Sequence, residues 1–127
     1  MNALLLLDIH KAWAWFVVVS NALAGLWSLA AHRWPVLRSR ALWWFTIAAE
    51  ATVLVQVIFG VIMLNKYKLH APKFHMFYGF VGLIAITILY SYRVQLKHKL
   101  YLLYGFGGLF VMGLGIRAML VATNKSP

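Results

Sequence analysis

The chain has 127 residues, 64% of them hydrophobic, and only Asp8 and Glu50 oppose twelve Lys and Arg residues. A soluble domain of this size exposes far more charge, so the composition excludes the common soluble classes. The formal net charge of +10 does not indicate a nucleic-acid partner, because the basic residues lie in short clusters at the ends of apolar runs, where they meet lipid phosphates. The lack of cysteine excludes disulfides, thiolate metal sites and cysteine nucleophiles.

Four apolar runs occupy most of the sequence, and a bilayer core about 30 Å thick needs about 20 apolar residues of helix to cross it. The runs predict membrane spans over residues 12–31, 41–64, 72–90 and 100–121. Short connectors bearing Lys and Arg separate them, and short connectors make neighbouring helices antiparallel. The sequence therefore predicts one all-α domain over residues 1–127, an integral membrane, up-down-up-down four-helix bundle with short loops.

The first span is preceded by Met1–Leu7, which holds no Lys or Arg. The apolar run that follows is too long for the core of a signal peptide, so we expect Met1 to be retained. Leu4 to Leu7 either lie at the membrane interface or extend the first helix. Pro35 stops that helix in connector one, and Pro72 opens the third span.

Glu50, near the middle of the second span, is the most costly residue to place in lipid, at about 2.5–3.5 kcal/mol if ionised. Asn21 and Glu50 each lie about ten residues from connector one, so antiparallel helices put them at one depth. We expect an intramembrane polar pair, a hydrogen bond between helices that fixes their register. The alternative is a proton-relay role for Glu50, in a small oligomeric transporter or proton channel.

His10 and His75 begin the first and third spans, which run parallel, so both lie on the side that carries the termini. Paired histidines from alternate helices at one depth are what a bis-histidine haem needs, and Arg117 in the fourth span is level with the expected haem propionate. The alternative is polar anchoring, with the Arg117 guanidinium reaching the headgroups or Asp8. Zinc or copper bound through His10, His70 and His75 is less favoured, because only Asp8 is available to complete such a site.

A face of small residues in the fourth span indicates close helix packing, inside the bundle or against another protein: Gly105, Gly108, Gly113 and Gly115. No Ser, His and acid share a level, and no phosphate-binding glycine loop is present, so we expect no enzyme activity. The favoured function is an accessory or scaffold subunit that packs against a larger membrane transporter or respiratory complex, without a cofactor. The alternative is an electron-transfer membrane protein that binds haem b.

The expected partners are the lipid bilayer and other membrane protein subunits. Compact loops favour a multi-pass protein of a prokaryotic cytoplasmic (inner) membrane. Connector one (residues 32–40) and connector three (residues 91–99) together hold six Lys and Arg residues. The other side of the membrane holds five lysines: Lys11, Lys66, Lys68, Lys73 and Lys125. We therefore expect connectors one and three in the cytoplasm and both termini outside.

Overall fold

The computed structural model describes the backbone of residues 2–123 and the side chains of residues 2–122, so Lys125 lies outside the described residues. These residues form four α-helices joined by short connectors, two of which contain a 3₁₀ turn: α1 (Ala3–Arg33), α2 (Arg40–Asn65), α3 (Lys73–Ser91) and α4 (Leu100–Thr123). The prediction of four long helices is confirmed. Each of them is long and apolar enough to cross a bilayer.

Helix α1 begins at Ala3, so of the two alternatives that the sequence left open, Leu4 to Leu7 extend the helix. Its first turn is capped by Asn2, whose side-chain oxygen accepts a hydrogen bond from the backbone N–H of Leu5 at 2.7 Å. Its last turn is capped by Arg38, whose guanidinium donates to the carbonyls of Ala31 at 2.8 Å and His32 at 3.1 Å. Both ends of this helix therefore have partners for backbone groups that the helix itself leaves unpaired.

Helices α1 and α4 form the central pair, α2 packs against α1 and α3 packs against α4. Of the four pairs of adjacent helices, α2 and α3 contact each other least. Glycine permits the close approach of α1 to α4. A Cβ atom at Gly25 would lie 2.8 Å from the Gly105 carbonyl oxygen, and one at Gly108 would lie 2.9 Å from the Gly25 Cα. Any larger residue at these positions would force the two backbones apart.

The centre of the bundle is a small cluster that takes one buried residue from each helix: Val17, Val53, Leu89 and Val111. Contacts around it run antiparallel between sequential neighbours. Trp13 donates to the Thr52 carbonyl, whereas Trp27, farther along α1, packs against Phe45, nearer the start of α2. Because neighbours are antiparallel, α1 and α3 run in the same direction and begin at the same end of the bundle.

The outer surface is strongly apolar and aromatic. Several of its largest side chains are more than half exposed: Trp15, Phe16, Trp44, Phe77, Phe106 and Phe110. A contiguous surface of this kind is unfavourable in water and matches the interior of a bilayer.

Candidate functional site: a histidine pair between α1 and α3

His10 and His75 face each other across the bundle. His10 lies in the second turn of α1 and His75 in the first turn of α3, and these helices begin at the same end. The two imidazole ring centroids are 5.9 Å apart, and the ring planes make an angle of 77°. The structure thus brings together the two histidines that the sequence placed at one depth.

The hydrogen bond of His75 fixes how this ring presents its nitrogens. Its Nδ1 lies 2.9 Å from the backbone carbonyl oxygen of Ala118 in α4. A carbonyl only accepts, so Nδ1 carries a proton and donates it; in the neutral imidazole this leaves a lone pair on Nε2. This is the arrangement by which a backbone carbonyl orients a metal-binding imidazole.

His10 is held against α2 through its backbone. The side-chain amide of Gln56 donates to the His10 carbonyl oxygen at 2.7 Å. His10 Nδ1 and Gln56 Oε1 are both buried without a hydrogen-bond partner, and no other side-chain nitrogen or oxygen in the described part of the chain is in this state. A buried polar atom without a partner costs about 1–3 kcal/mol, so these two atoms are the least satisfied polar groups among the described residues.

His10 packs against Gly60 of α2, which places no side chain there. A Cβ built on Gly60 would lie 3.6 Å from His10 Cε1, within van der Waals contact. Among the interfaces between adjacent helices, the one between α2 and α3 has the fewest contacts. The histidine pair therefore lies beside the least packed of these interfaces.

Arg117 lies at the same end of the bundle, one residue before the carbonyl that holds His75. Its Nε donates to the hydroxyl of Tyr78 at 3.4 Å, and its guanidinium carbon is 5.8 Å from the centre of the Tyr78 ring. The side chain is exposed, and within residues 2–122 it forms no ion pair, either with Asp8 or with Glu50. A cation is thus available next to the histidine pair.

The described residues offer a metal ion or a haem two facing histidines. They contain no group of three or more His, Cys, Asp or Glu side chains that could hold a metal, and His70 is exposed on the connector between α2 and α3. With metal–nitrogen bonds of about 2.0 Å, two imidazoles on opposite sides of one metal would have their centroids about 6.4 Å apart. The observed separation is 5.9 Å, so the two rings would have to move apart by about 0.5 Å to hold a haem between them.

Asn21 and Glu50 lie at similar depths, but the hydrogen bond of Asn21 goes to the backbone. Its side-chain amide, which is 2% exposed, donates to the carbonyls of Val17 at 2.8 Å and Ala49 at 3.2 Å. Ala49 immediately precedes Glu50. The partly buried Glu50 carboxylate accepts no hydrogen bond from any described residue. Asn21 therefore fixes the register of α1 and α2 without the Glu50 side chain.

The glycines of α4 divide into two groups. Gly105 and Gly108 pack against α1, and a Cβ at Gly115 would lie 3.1 Å from a methyl carbon of Val18. Gly113 is exposed and has nothing within 4 Å of the Cβ position. Most of the small-residue face is therefore occupied inside the bundle.

Sequence reasoning missed Gln56, Gly60 and Tyr78. The sequence did offer a signal for Gln56, which is a polar residue inside an apolar run. Its distance from connector one along α2 equals that of His10 along α1 to within about two turns, so the two residues have similar depths. Gly60 and Tyr78 had none, since glycine and tyrosine are common in membrane helices and near their ends.

Comparisons with protein-family models, with curated proteins and with solved structures find no match to this chain.

Proposed function

We propose that this chain is an integral, multi-pass membrane protein that binds haem b between His10 and His75 and transfers electrons. The membrane part of the proposal is supported by four long apolar helices and by an exposed surface rich in large apolar side chains. We place it in a prokaryotic cytoplasmic membrane, with connectors one and three on the cytoplasmic side, from the compact loops and the distribution of Lys and Arg.

The haem part is carried by one observation, the approach of the His10 and His75 rings to 5.9 Å beside two buried polar atoms without partners. His75, with Nδ1 donating to Ala118, presents Nε2 as a ligand. Arg117, whose Nε donates to the Tyr78 hydroxyl, would bind a propionate carboxylate by charge, and Tyr78 would bind it by a hydroxyl hydrogen bond. All four helices thereby contribute to one site, as in helical bundles that hold cofactors between facing helices.

The ligand set also selects the chemistry. Were His10 and His75 both to hold the haem iron, no place would remain on it for oxygen or substrate, so the chemistry that the group would supply is one-electron transfer. The part of the protein would be to bind the group and to exclude water from it. No acid or nucleophile beside the pair is needed for that task.

The accessory-subunit function has weaker support. It was expected from the lack of soluble mass and from the glycine face of α4, but α1 covers Gly105 and Gly108. A proton channel is supported only by the partly buried Glu50. Neither function uses the pairing of His10 with His75.

Absorption spectroscopy of the protein, purified in detergent from cells supplied with a haem precursor, tests the proposal. The wild type is expected to show a Soret band that shifts on reduction with dithionite. His10→Ala and His75→Ala should each lose the band while far-UV circular dichroism shows unchanged helicity. His32→Ala and His98→Ala are matched controls, since both side chains are exposed at the opposite end, and should keep it.

A colourless wild type with full helicity, from cells with ample haem, contradicts haem binding. Elution of such a sample with a large complex would instead favour the accessory subunit. A protein that disperses in buffer without detergent contradicts the membrane part of the proposal.

A further inference from the structure

The histidine pair lies close to one end of the bundle and far from the other. His10 packs against Gly60 of α2, and the helix rises about 30 Å between Arg40, where it begins, and Gly60. The hydrocarbon core of a bilayer has about the same thickness. From Gly60 the helix continues only to Asn65. The pair therefore lies near the edge of the hydrocarbon core, on the side of the chain termini.

Cations lie at this end in addition to Arg117. Four of them are exposed lysines: Lys11, Lys66, Lys68 and Lys73. Lys66 follows the last residue of α2 and lies about 9 Å of axial rise beyond Gly60, so it projects past the core toward water. Asp8 is the one acidic side chain near them, and within residues 2–122 it forms no ion pair with any of these lysines. The end thus keeps an uncompensated positive charge.

An apolar patch lies at the depth of the outer lysines. Because α1 and α2 are antiparallel and His10 meets Gly60, Leu4 of α1 lies level with Lys66. Leu4 is 74% exposed, and Leu5 is 48% exposed. An apolar centre with a polar rim is typical of the surfaces by which proteins bind one another. We call Leu4, Leu5 and the four lysines the lysine face.

The opposite end of the bundle is also basic, with exposed Lys97 and Lys99 among its cations. That end lies about 30 Å from the histidine pair along α2, and electron transfer slows steeply as the distance grows. A carrier dissolved in water therefore has a short route to the pair only from the side of the lysine face.

We propose that the lysine face is the docking surface of an acidic, water-soluble one-electron carrier. The inference rests on the proposed function and names the class of its partner. One electron passes between the carrier and the haem iron, so that one is oxidised as the other is reduced, and no bond forms or breaks. The lysines attract the carrier by charge, and Leu4 with Leu5 gives it apolar contact. Electron-transfer complexes have small interfaces, so a face of this extent suffices.

Stopped-flow spectroscopy with small ions tests where electrons pass. The protein is reduced with dithionite in an uncharged detergent, freed of excess reagent and mixed with ferricyanide, an anion, or hexaammineruthenium(III), a cation. The rate constant for ferricyanide should fall with rising ionic strength, and at low salt it should be about tenfold lower in Lys66→Gln, Lys68→Gln. Hexaammineruthenium(III) should react no more slowly with this variant. The matched control Lys97→Gln, Lys99→Gln removes the same charge at the opposite end and should keep the ferricyanide rate within about twofold.

A protein-sized carrier tests the docking itself. Reduced plant-type ferredoxin, a small acidic iron–sulfur protein, is mixed with the oxidised protein under the same conditions. Leu4→Gln should slow this reaction several-fold and leave the ferricyanide rate unchanged, because a small ion needs no apolar contact. Val36→Gln is the matched control, since Val36 is 87% exposed on the connector at the opposite end, and it should change neither rate.

Equal ferricyanide rates in the two lysine double variants would overturn the inference, because electrons would then not pass at the lysine face. A Leu4→Gln variant that reacts with ferredoxin at the wild-type rate would overturn it as well, since no protein would then dock there. In both cases a sample with a Soret band leaves the proposed function intact. A colourless sample would overturn the proposed function and this inference with it.

Discussion

The two ends of the bundle differ in whether their buried polar groups have hydrogen-bond partners. At the end of connector one, the buried Ser28 hydroxyl donates to the Tyr101 carbonyl at 2.9 Å and Arg38 caps α1. At the end that carries the chain termini, His10 Nδ1 and Gln56 Oε1 are buried without partners. The same four helices build both ends. We call the first end complete, because its buried polar groups have partners, and the second end incomplete, because two of its buried polar atoms have none among the described residues.

The largest effect is expected where the complete end is packed most closely. Gly108→Ala adds a methyl group that would lie 2.9 Å from the Gly25 Cα, a backbone atom that cannot move aside alone. We expect a loss of about 3 kcal/mol in the free energy of unfolding, measured by denaturation of the detergent-solubilised protein with SDS.

The matched control is Gly113→Ala on the same helix, where nothing lies within 4 Å. It should be neutral or stabilising by up to about 1 kcal/mol, because alanine is the better helix former. Equal losses in both variants would contradict the packing role given to Gly108.

At the incomplete end a bulky residue should remove ligand binding without unfolding the bundle. Gly60→Leu places side-chain atoms against His10, whose Cε1 lies 3.6 Å from the Cβ position. We expect the Soret absorbance per mole of protein to fall at least about tenfold, which corresponds to about 1.4 kcal/mol of binding free energy. The stability of the haem-free protein should hardly change. Gly79→Leu, where the Cβ position is open, should keep full absorbance; a loss there would show that any added bulk interferes.

The sequence predicted the fold because the bilayer imposes a simple rule on it. Run length and the basic connectors sufficed for four helices and for their order, and counting from the connectors put His10 level with His75. The sequence left open whether Leu4 to Leu7 extend the first helix, because Asp8 and Lys11 interrupt the apolar run; the helix itself is not interrupted there and begins at Ala3.

The side-chain contacts were less predictable than the fold. The sequence gives the depth of a residue in the membrane, but a contact also depends on the rotation of each helix about its axis. Asn21 and Glu50 have similar depths, but rotation about the helix axes turns Asn21 toward the Ala49 carbonyl. The unequal contacts among the helices, with α1 against α4 closest and α2 against α3 loosest, depend on where Gly25 meets Gly108. A hydropathy pattern carries no information on that rotation.

A smaller effect is expected for a single hydrogen bond at the complete end. Ser28→Ala removes the bond from a fully buried hydroxyl to the Tyr101 carbonyl and leaves that carbonyl without this donor. We expect a loss of about 0.6–1.7 kcal/mol in the same SDS titration. Ser91→Ala is the control, since this exposed hydroxyl bonds only to Thr87 on its own helix, and it should change stability by less than about 0.5 kcal/mol. Identical behaviour of the two serines would remove the contrast between the ends.

The smallest effect is expected near the middle of the bundle, where Asn21 and Glu50 lie. If Asn21 fixes register through the Ala49 carbonyl, then Asn21→Ala and Glu50→Gln should act independently. Asn21→Ala should cost about 0.6–1.7 kcal/mol, and a double-mutant cycle with Glu50→Gln should give a coupling energy below about 0.5 kcal/mol. A coupling near 1 kcal/mol would mean that the two side chains bond directly in the membrane. Glu50 would then have a hydrogen-bond partner, as the buried polar groups of the complete end do. The groups without partners would be confined to the region of His10.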